Sequence, residues 1–208
     1  MKLVLSRKGF DASSGGNASP ILPDATLVSL PIPSPTSPLT YDDVWLGDQS
    51  LGPLVEDLTR GRIRAGNGAH LDPDLRECAH DRRPGWRPLF GQDGTAQGHL
   101  RNAGVGVGDL FLFFGWFRQV ERTATAYRFL RGAPDLHVVF GWLQIAIIVM
   151  VEDPPAQSRA GPGTIRISTE IWRRTTPCTY PARIFSCPEC LEVPTEKAPS
   201  SATTTGCA

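Results

Sequence analysis

At 208 residues the chain is long enough for one domain with a full core, or for a domain and a tail. Its 21 basic and 21 acidic side chains cancel, which excludes a protein held on nucleic acid by bulk charge but leaves room for a local basic patch. No run reaches the roughly 18 consecutive apolar residues of a membrane helix, and Arg7 and Lys8 cut off the N-terminal apolar run before it reads as a signal peptide.

In chain order, MKLVLS predicts a first β-strand, ended by the polar, glycine-rich SRKGFDASSGG. The next stretch, SPILPDATLVSLPIPSPTSP, is broken by Pro20, Pro23, Pro31, Pro33, Pro35 and Pro38. Proline cannot donate to a sheet ladder, so edge strand and extended surface coil are expected there. Thr40 with Asp42 and Asp43 predicts a helix start, and SLGPLVEDLTR a short helix with Pro53 in its first turn. Residues 66–94 are polar and irregular, and 95–104 predict a short helix closed by Gly104.

The strongest pattern follows. GDLFLFFGWFRQVE (108–121) and PDLHVVFGWLQIAI (134–147) align without gaps at a spacing of 26, matching Phe114-Gly115-Trp116 to Phe140-Gly141-Trp142. Both are continuous apolar runs, as expected of central strands buried on both faces, and ATAYRFL between them predicts a connecting strand. The inner glycine of each run predicts a bulge or sharp bend, the device by which sheets curl. Gly104, Gly106 and Gly108 do not match a dinucleotide fingerprint, because the spacing is wrong and a strand follows instead of a helix.

Candidate chemistry is sparse. Arginines from Arg60 to Arg87 crowd one stretch but are diluted by Asp72, Asp74, Glu77 and Asp81, which reads first as a self-neutralising surface and second as a phosphate-facing strip. His70 beside Asp72 and Asp74 could serve a metal or acid–base step. Ser6, Arg7, Lys8 and Gly9 offer a hydroxyl, two cations and backbone N–H groups to an anion. Trp116 and Trp142 read either as stacking platforms for a base or as core. His137, on an apolar strand, reads as a satisfied core histidine.

KLVLSRKGFD, SPILPDATLVSLPIP, HLDPDLR, and GWRPLFGQDGTAQGHL followed by GVGVGDLFLFFGWFR and HVVFGWLQI, in that order, resemble the third of the nucleotide-modification-associated domains, a bacterial family, over residues 2–146. The resemblance implies association with systems that modify bases in nucleic acid, and hence nucleotide, nucleic acid or modification enzymes as partners. It does not imply an established reaction or a known cofactor. The polar positions carried over are Ser6, Arg7, Lys8, Asp11, Asp24, His70, Asp72, Asp74, His99 and Gln144. His70, Asp72 and His99 are the catalytic candidates. Ser6, Arg7, Lys8, Asp11, Trp116 and Gln144 are the nucleotide-binding ones. A fold-level likeness to small PUA-like and ASCH-like barrels is analogy alone.

Beyond the FGWLQI strand the family continues with HPH, NDTLYVP and a Gly/Pro-rich segment, and none of these stands here. The neighbouring reading frame permits them: GTIRISTEIW allows a segment containing HPH, and RRTTPCTYP one containing NDTLYVP. A change of frame between about residues 147 and 159 is therefore expected, which makes 151–208 an out-of-frame, irregular tail. Loss of the HPH pair would leave this form inactive. On this reading Cys187 and Cys190 of CPEC are by-products, since a zinc ribbon needs a second knuckle and only Cys178 and Cys207 remain, at unequal spacings. Four of the five cysteines lie beyond residue 177, so no disulfide framework ties the body, which fits a reducing, cytoplasmic setting.

The expected architecture is one α+β domain over residues 1–150: a curved, mostly antiparallel sheet or small barrel with a few short helices, and a disordered C-terminal tail. The expected function is a soluble domain that binds nucleotides or bases. The alternatives are a metal-assisted hydrolase or transferase and a non-catalytic partner of a modification enzyme.

Overall fold

The computed structural model describes residues 1–151 and 164–168. In chain order the elements are β1 (Leu3–Arg7), β2 (Ser19–Ile21), β3 (Ile32–Pro33), β4 (Trp45–Leu46), β5 (Gln49–Ser50), α1 (Leu51–Thr59), β6 (Ala69–His70), β7 (Leu89–Gln92), α2 (Gly94–Asn102), β8 (Leu110–Arg122), β9 (Tyr127–Phe129), β10 (Leu136–Gln144), β11 (Ile147–Val151) and β12 (Thr164–Ser168). This is an α+β chain. CPEC and the rest of 169–208 lie outside the described residues; of the expected irregular tail, Val151 and Thr164–Ser168 are strand.

Everything is hung on β8, the longest strand. β1 and then β2 pair parallel to it along one edge, and β10 and β9 pair antiparallel to it. The sheet is therefore mixed, where a mostly antiparallel one was expected, and no closed barrel forms among the described residues. A second sheet sets β12 between β11 and β7, both antiparallel.

The side chains of β8 alternate. Phe111, Phe113 and Phe117 are fully buried, whereas Leu110, Leu112, Phe114 and Trp116 keep part of their surface exposed. Strict two-residue alternation sends these sets to opposite faces. The inner set packs on Phe90 of β7, whose ring centroid lies 4.8 Å from Phe111 and 5.0 Å from Phe113. Leu143, Ile145 and parts of Leu75, Leu100 and Val105 complete this core. A second core surrounds α1: Leu51, Leu54, Val55 and Leu58 meet Phe10, Val28, Leu30, Tyr41 and Val120. Buried Tyr41 donates its hydroxyl to Pro31 O at 2.7 Å, and burial raises its pKa.

The sequence-based expectation of strands buried on both faces is thus corrected: one face of β8 and β10 is core and the other is open. The two FGW glycines also differ. A Cβ on Gly115 would lie 2.8 Å from Lys8 O, so this glycine admits the end of β1. At Gly141 a Cβ would lie 2.6 Å from Leu75, and the register shift between Val139 and Gly141 makes Phe140 a bulge. The bulge lays Phe140 toward Phe117, 5.8 Å away, on the core side. The proline-rich stretch is not all surface coil: Ser19, Pro20, Ile21, Val28, Leu30 and Pro31 are buried. The helix expected at Thr40 is a single 3-10 turn, Tyr41–Asp43, in which Asp43 Oδ2 accepts from Thr40 N at 2.8 Å and from Thr40 Oγ1 at 2.7 Å. Both short helices occur, α1 with Pro53 in its first turn and α2 followed by Gly104 at φ 62°.

Asp109 ties three chain segments where β8 begins. Its carboxylate accepts from Lys2 N at 2.6 Å and Gly106 N at 3.0 Å, and its carbonyl accepts from Ile145 N at 2.9 Å. The GVGVG loop is therefore a scaffold turn. The N–H groups of Lys2 and Gly106 hold the Asp109 carboxyl below its usual range, against the opposing effect of burial. Asp24 is lowered by N–H and hydroxyl donation from Thr26, and Asp43 by the Thr40 hydroxyl and N–H. A carboxylate with a depressed folded pKa contributes stability above its unfolded value, about 3.9, and loses that contribution as pH falls through the folded value. Thermal stability should therefore be flat above about pH 5 and decline below about pH 4. Asp109→Asn should be less stable at neutral pH and show a shallower acid decline, read from melting curves at stepped pH. Parallel declines in the two proteins would remove Asp109 from this account.

Candidate functional site

The same alternation that builds the core sorts the candidate residues. On β1 it places Leu3, Leu5 and Arg7 on the open face and Val4, Ser6 and Lys8 on the other, so the Ser6-Arg7-Lys8 cluster is divided. Lys8 is committed inside: its Nζ lies 3.1 Å from Asp72 Oδ2 and 4.5 Å from the Phe90 ring centroid. Asp72 Oδ1 in turn accepts from Gly91 N at 2.8 Å. The pair, with side chains 16% and 12% exposed, fastens the end of β1 to β7 and to the HLDPDL loop.

Asp74 is equally occupied. Arg82 grips it with two bonds of 2.5 and 2.6 Å, donates to Arg76 O at 2.6 Å and Glu77 O at 3.1 Å, and stacks on Trp86 at 4.0 Å. Arg82 Nη1 also lies 2.7 Å from His80 Nε2; guanidinium only donates, so this nitrogen is the acceptor, and Nδ1–H donates to Asp81 O at 2.7 Å. Part of the arginine-rich stretch is therefore internal structure.

The three catalytic candidates sit on different segments: β6, the loop after it, and α2. His70 is exposed on β6 and His99 is exposed on α2, while Asp72 is held by Lys8. Among the described residues no group of three His, Cys, Asp or Glu side chains is placed to share a metal ion. Asp11 stabilises a turn: Oδ1 accepts from Ser13 N and Ser13 Oγ at 2.8 Å and from Ser14 N at 2.6 Å, with Arg7 3.9 Å away. Burial pushes its pKa up, but those donors and Arg7 together outweigh burial and hold it below the usual value. Asp24 accepts from Thr26 N at 3.0 Å. A groove of about 620 Å³ at the far end of β8 is lined by Leu22, Pro23, Gln119, Val120, Glu121, Arg122 and Leu130, none of them a candidate.

The remaining candidates do share a surface. The β10 register sets His137 beside Trp116, Val139 beside Phe114, Trp142 beside Leu112 and Gln144 beside Leu110, all on the open face that also carries Arg7 beside Phe114. Trp142 is 53% exposed, and the Phe114 and His137 rings meet edge to face at 6.3 Å. Gln144 donates to Gly108 O at 3.2 Å. Arg118 closes the far end: its Nε lies 2.9 Å from Asp135 Oδ1, an ion pair whose angle leaves that N–H without a hydrogen bond. β1, β10 and residues 110–118 of β8 contain no carboxylate.

Of the residues on this face the sequence singled out Arg7, Trp116, Trp142 and Gln144, but not Phe114. His137 was expected in the core and is exposed. A strand apolar on both faces hides which face is buried; only the β1 and β10 registers reveal it.

Because Lys8 neutralises a largely buried carboxylate, Lys8→Ala should cost about 3 kcal/mol of stability. Lys8→Ala/Asp72→Ala should recover part of that loss, measured by urea unfolding. Losses of Lys8→Ala and Asp72→Ala that simply add in the double variant would mean that the pair is not coupled.

The model of the family described as nucleotide modification associated domain 3 matches residues 2–200. No curated protein and no solved structure matches the chain. No helix among the described residues is long and apolar enough to cross a membrane. The match takes in nearly the whole sequence and includes the strands that carry the open aromatic face. The chain belongs to the nucleotide modification associated domain 3 family.

Proposed function

We propose that the chain binds nucleobases, in the service of nucleic acid modification, on the open face of its central sheet. The observation that carries this reading is the set Phe114, Trp116, His137 and Trp142 on one face of the sheet, with His137 and Trp142 exposed and Arg7 and Gln144 at its margins. Base rings stack on aromatic side chains with little regard for sequence, each stack contributing about 1–3 kcal/mol. Arg7 supplies a cation for phosphate, and the Gln144 amide a hydrogen-bonding edge. A sheet face suits bases presented by a strand better than a mononucleotide, which needs enclosure.

Titration of single-stranded oligonucleotides should quench tryptophan fluorescence. Trp142→Ala should weaken binding about tenfold, and Arg7→Ala should reduce the slope of log affinity on log salt by about one. Oligonucleotide that leaves the fluorescence unchanged at high micromolar concentration, or a Trp142→Ala protein that binds like the parent, ends this reading.

The change of frame is a separate proposal, and it competes with the family match, which continues to residue 200. If the frame changed, the open face belongs to a form that lacks the family's HPH and NDTLYVP segments, and binding without turnover is expected of it. Sequencing the coding DNA across codons 145–165 should reveal an added or lost base, with HPH and NDTLYVP encoded in the adjoining frame. An intact frame with neither motif beside it refutes the proposal.

A further inference from the structure

Strand β1 forms one edge of the central sheet, and its inward hydrogen bonds use alternate residues. Leu110 N donates to Lys2 O and Lys8 N to Phe114 O, each at 2.9 Å, with Val4 and Ser6 on the same parity between them. The N–H and C=O groups of Leu3, Leu5 and Arg7 therefore point away from β8. Among the described residues no strand lies beyond them and none accepts from or donates to them.

Natural edges are guarded by proline, bulges, charged side chains on the strand, short length or inward charges. β10, on the opposite edge, is interrupted by its bulge at Phe140. β1, LVLSR, has no proline and no bulge; its one charge, Arg7, stands at the C-terminal end of the strand, and the Nζ of neighbouring Lys2 is tied to Gly104 O. Its outer side chains add apolar surface, with Leu3 60% and Leu5 64% exposed.

The segment is also self-complementary. An antiparallel partner centred on Leu5 places Leu5 opposite Leu5 and Leu3 opposite Arg7. Residues of one outward parity then meet only residues of that parity, so each facing pair exchanges both of its backbone hydrogen bonds. The lone charge of the strand meets a leucine, and the two arginines fall at opposite ends of the paired segment, about 13 Å apart. A two-fold axis through Leu5 is the symmetry of most soluble homodimers.

We propose that two copies of this chain pair antiparallel through β1, joining their central sheets into one. Leu5 lies at the axis and packs on its own copy, and the Leu3 side chain lies along the stem of the partner copy's arginine.

Sedimentation velocity of the full chain through the micromolar range tests this, alongside Leu5→Pro. Proline at this position removes an outward N–H while the inward bonds of Val4 and Ser6 remain, and its φ suits an edge strand. The parent should sediment as a dimer and Leu5→Pro as a folded monomer. Should Leu5→Pro fail to fold, amide exchange on the parent decides: Leu5 and Arg7 should be protected at high concentration and lose protection on dilution. A parent that stays monomeric, or a dimer whose Leu5 and Arg7 amides exchange freely, overturns the proposal.

Discussion

The rest of the structure depends on the alternation of β8. A strand that reads LFLFFGWF has bulky apolar groups on both faces, yet only one of those faces meets a core. Phe111 and Phe113 fill it against Phe90, and burying such rings contributes about 1.5–3 kcal/mol each. The opposite face leaves Leu112, Phe114 and Trp116 only partly covered. β1 and β10 take their facing from β8 through register, so one parity decides where Arg7, Lys8, His137 and Trp142 end up.

Polar residues in the motifs divide by the same parity. Those turned inward became internal ties: Lys8 with Asp72, and Asp109 with the N–H groups of Lys2 and Gly106. A largely buried charge persists only when paired, and a buried N–H only when it finds an acceptor, so these residues are specified by the fold before any ligand is considered. The HLDPDL loop illustrates this: it carries two acids and a histidine, a suggestive composition, yet both acids already hold cations of the same chain. Of the residues turned outward, Arg7 lies 3.9 Å from the Asp11 carboxylate with its side chain 48% exposed, a looser tie than the Lys8–Asp72 pair.

What the sequence disclosed followed from local chemistry. The strand at MKLVLS, the helix that begins near Pro53, the helix closed by Gly104 and the paired aromatic strands are all written in neighbouring residues. What it concealed required distant partners. Asp72 stands 64 residues from Lys8, so nothing near either one announces the pair. Ser6, Arg7 and Lys8 are adjacent in sequence and looked like one anion site, although the two-residue period of the predicted strand already forbade them a common face. The proline-rich stretch looked like surface because proline interrupts ladders; Pro20 and Pro31 are buried all the same, since their rings are apolar and bring no N–H that needs an acceptor. Most elements were legible, then, but not which residues share a face, because facing is a property of register.

Edge and face meet in one strand, and this couples the two proposals. Arg7 contributes its side chain to the aromatic surface and its backbone to the free edge. Were two copies to join at β1, the open faces would merge across the axis, with the paired Leu5 side chains between two sets of Phe114, Trp116 and Trp142. A nucleic acid strand long enough to reach both sets would bind the second at an effective concentration far above that in solution. Linkage is reciprocal: whatever such a strand gains from the pairing, the pairing gains from the strand. A mononucleotide occupies one set and exerts no such effect. The length of strand at which affinity begins to depend on protein concentration therefore reports the distance between the two aromatic surfaces, and ties the edge to the face without either being mutated.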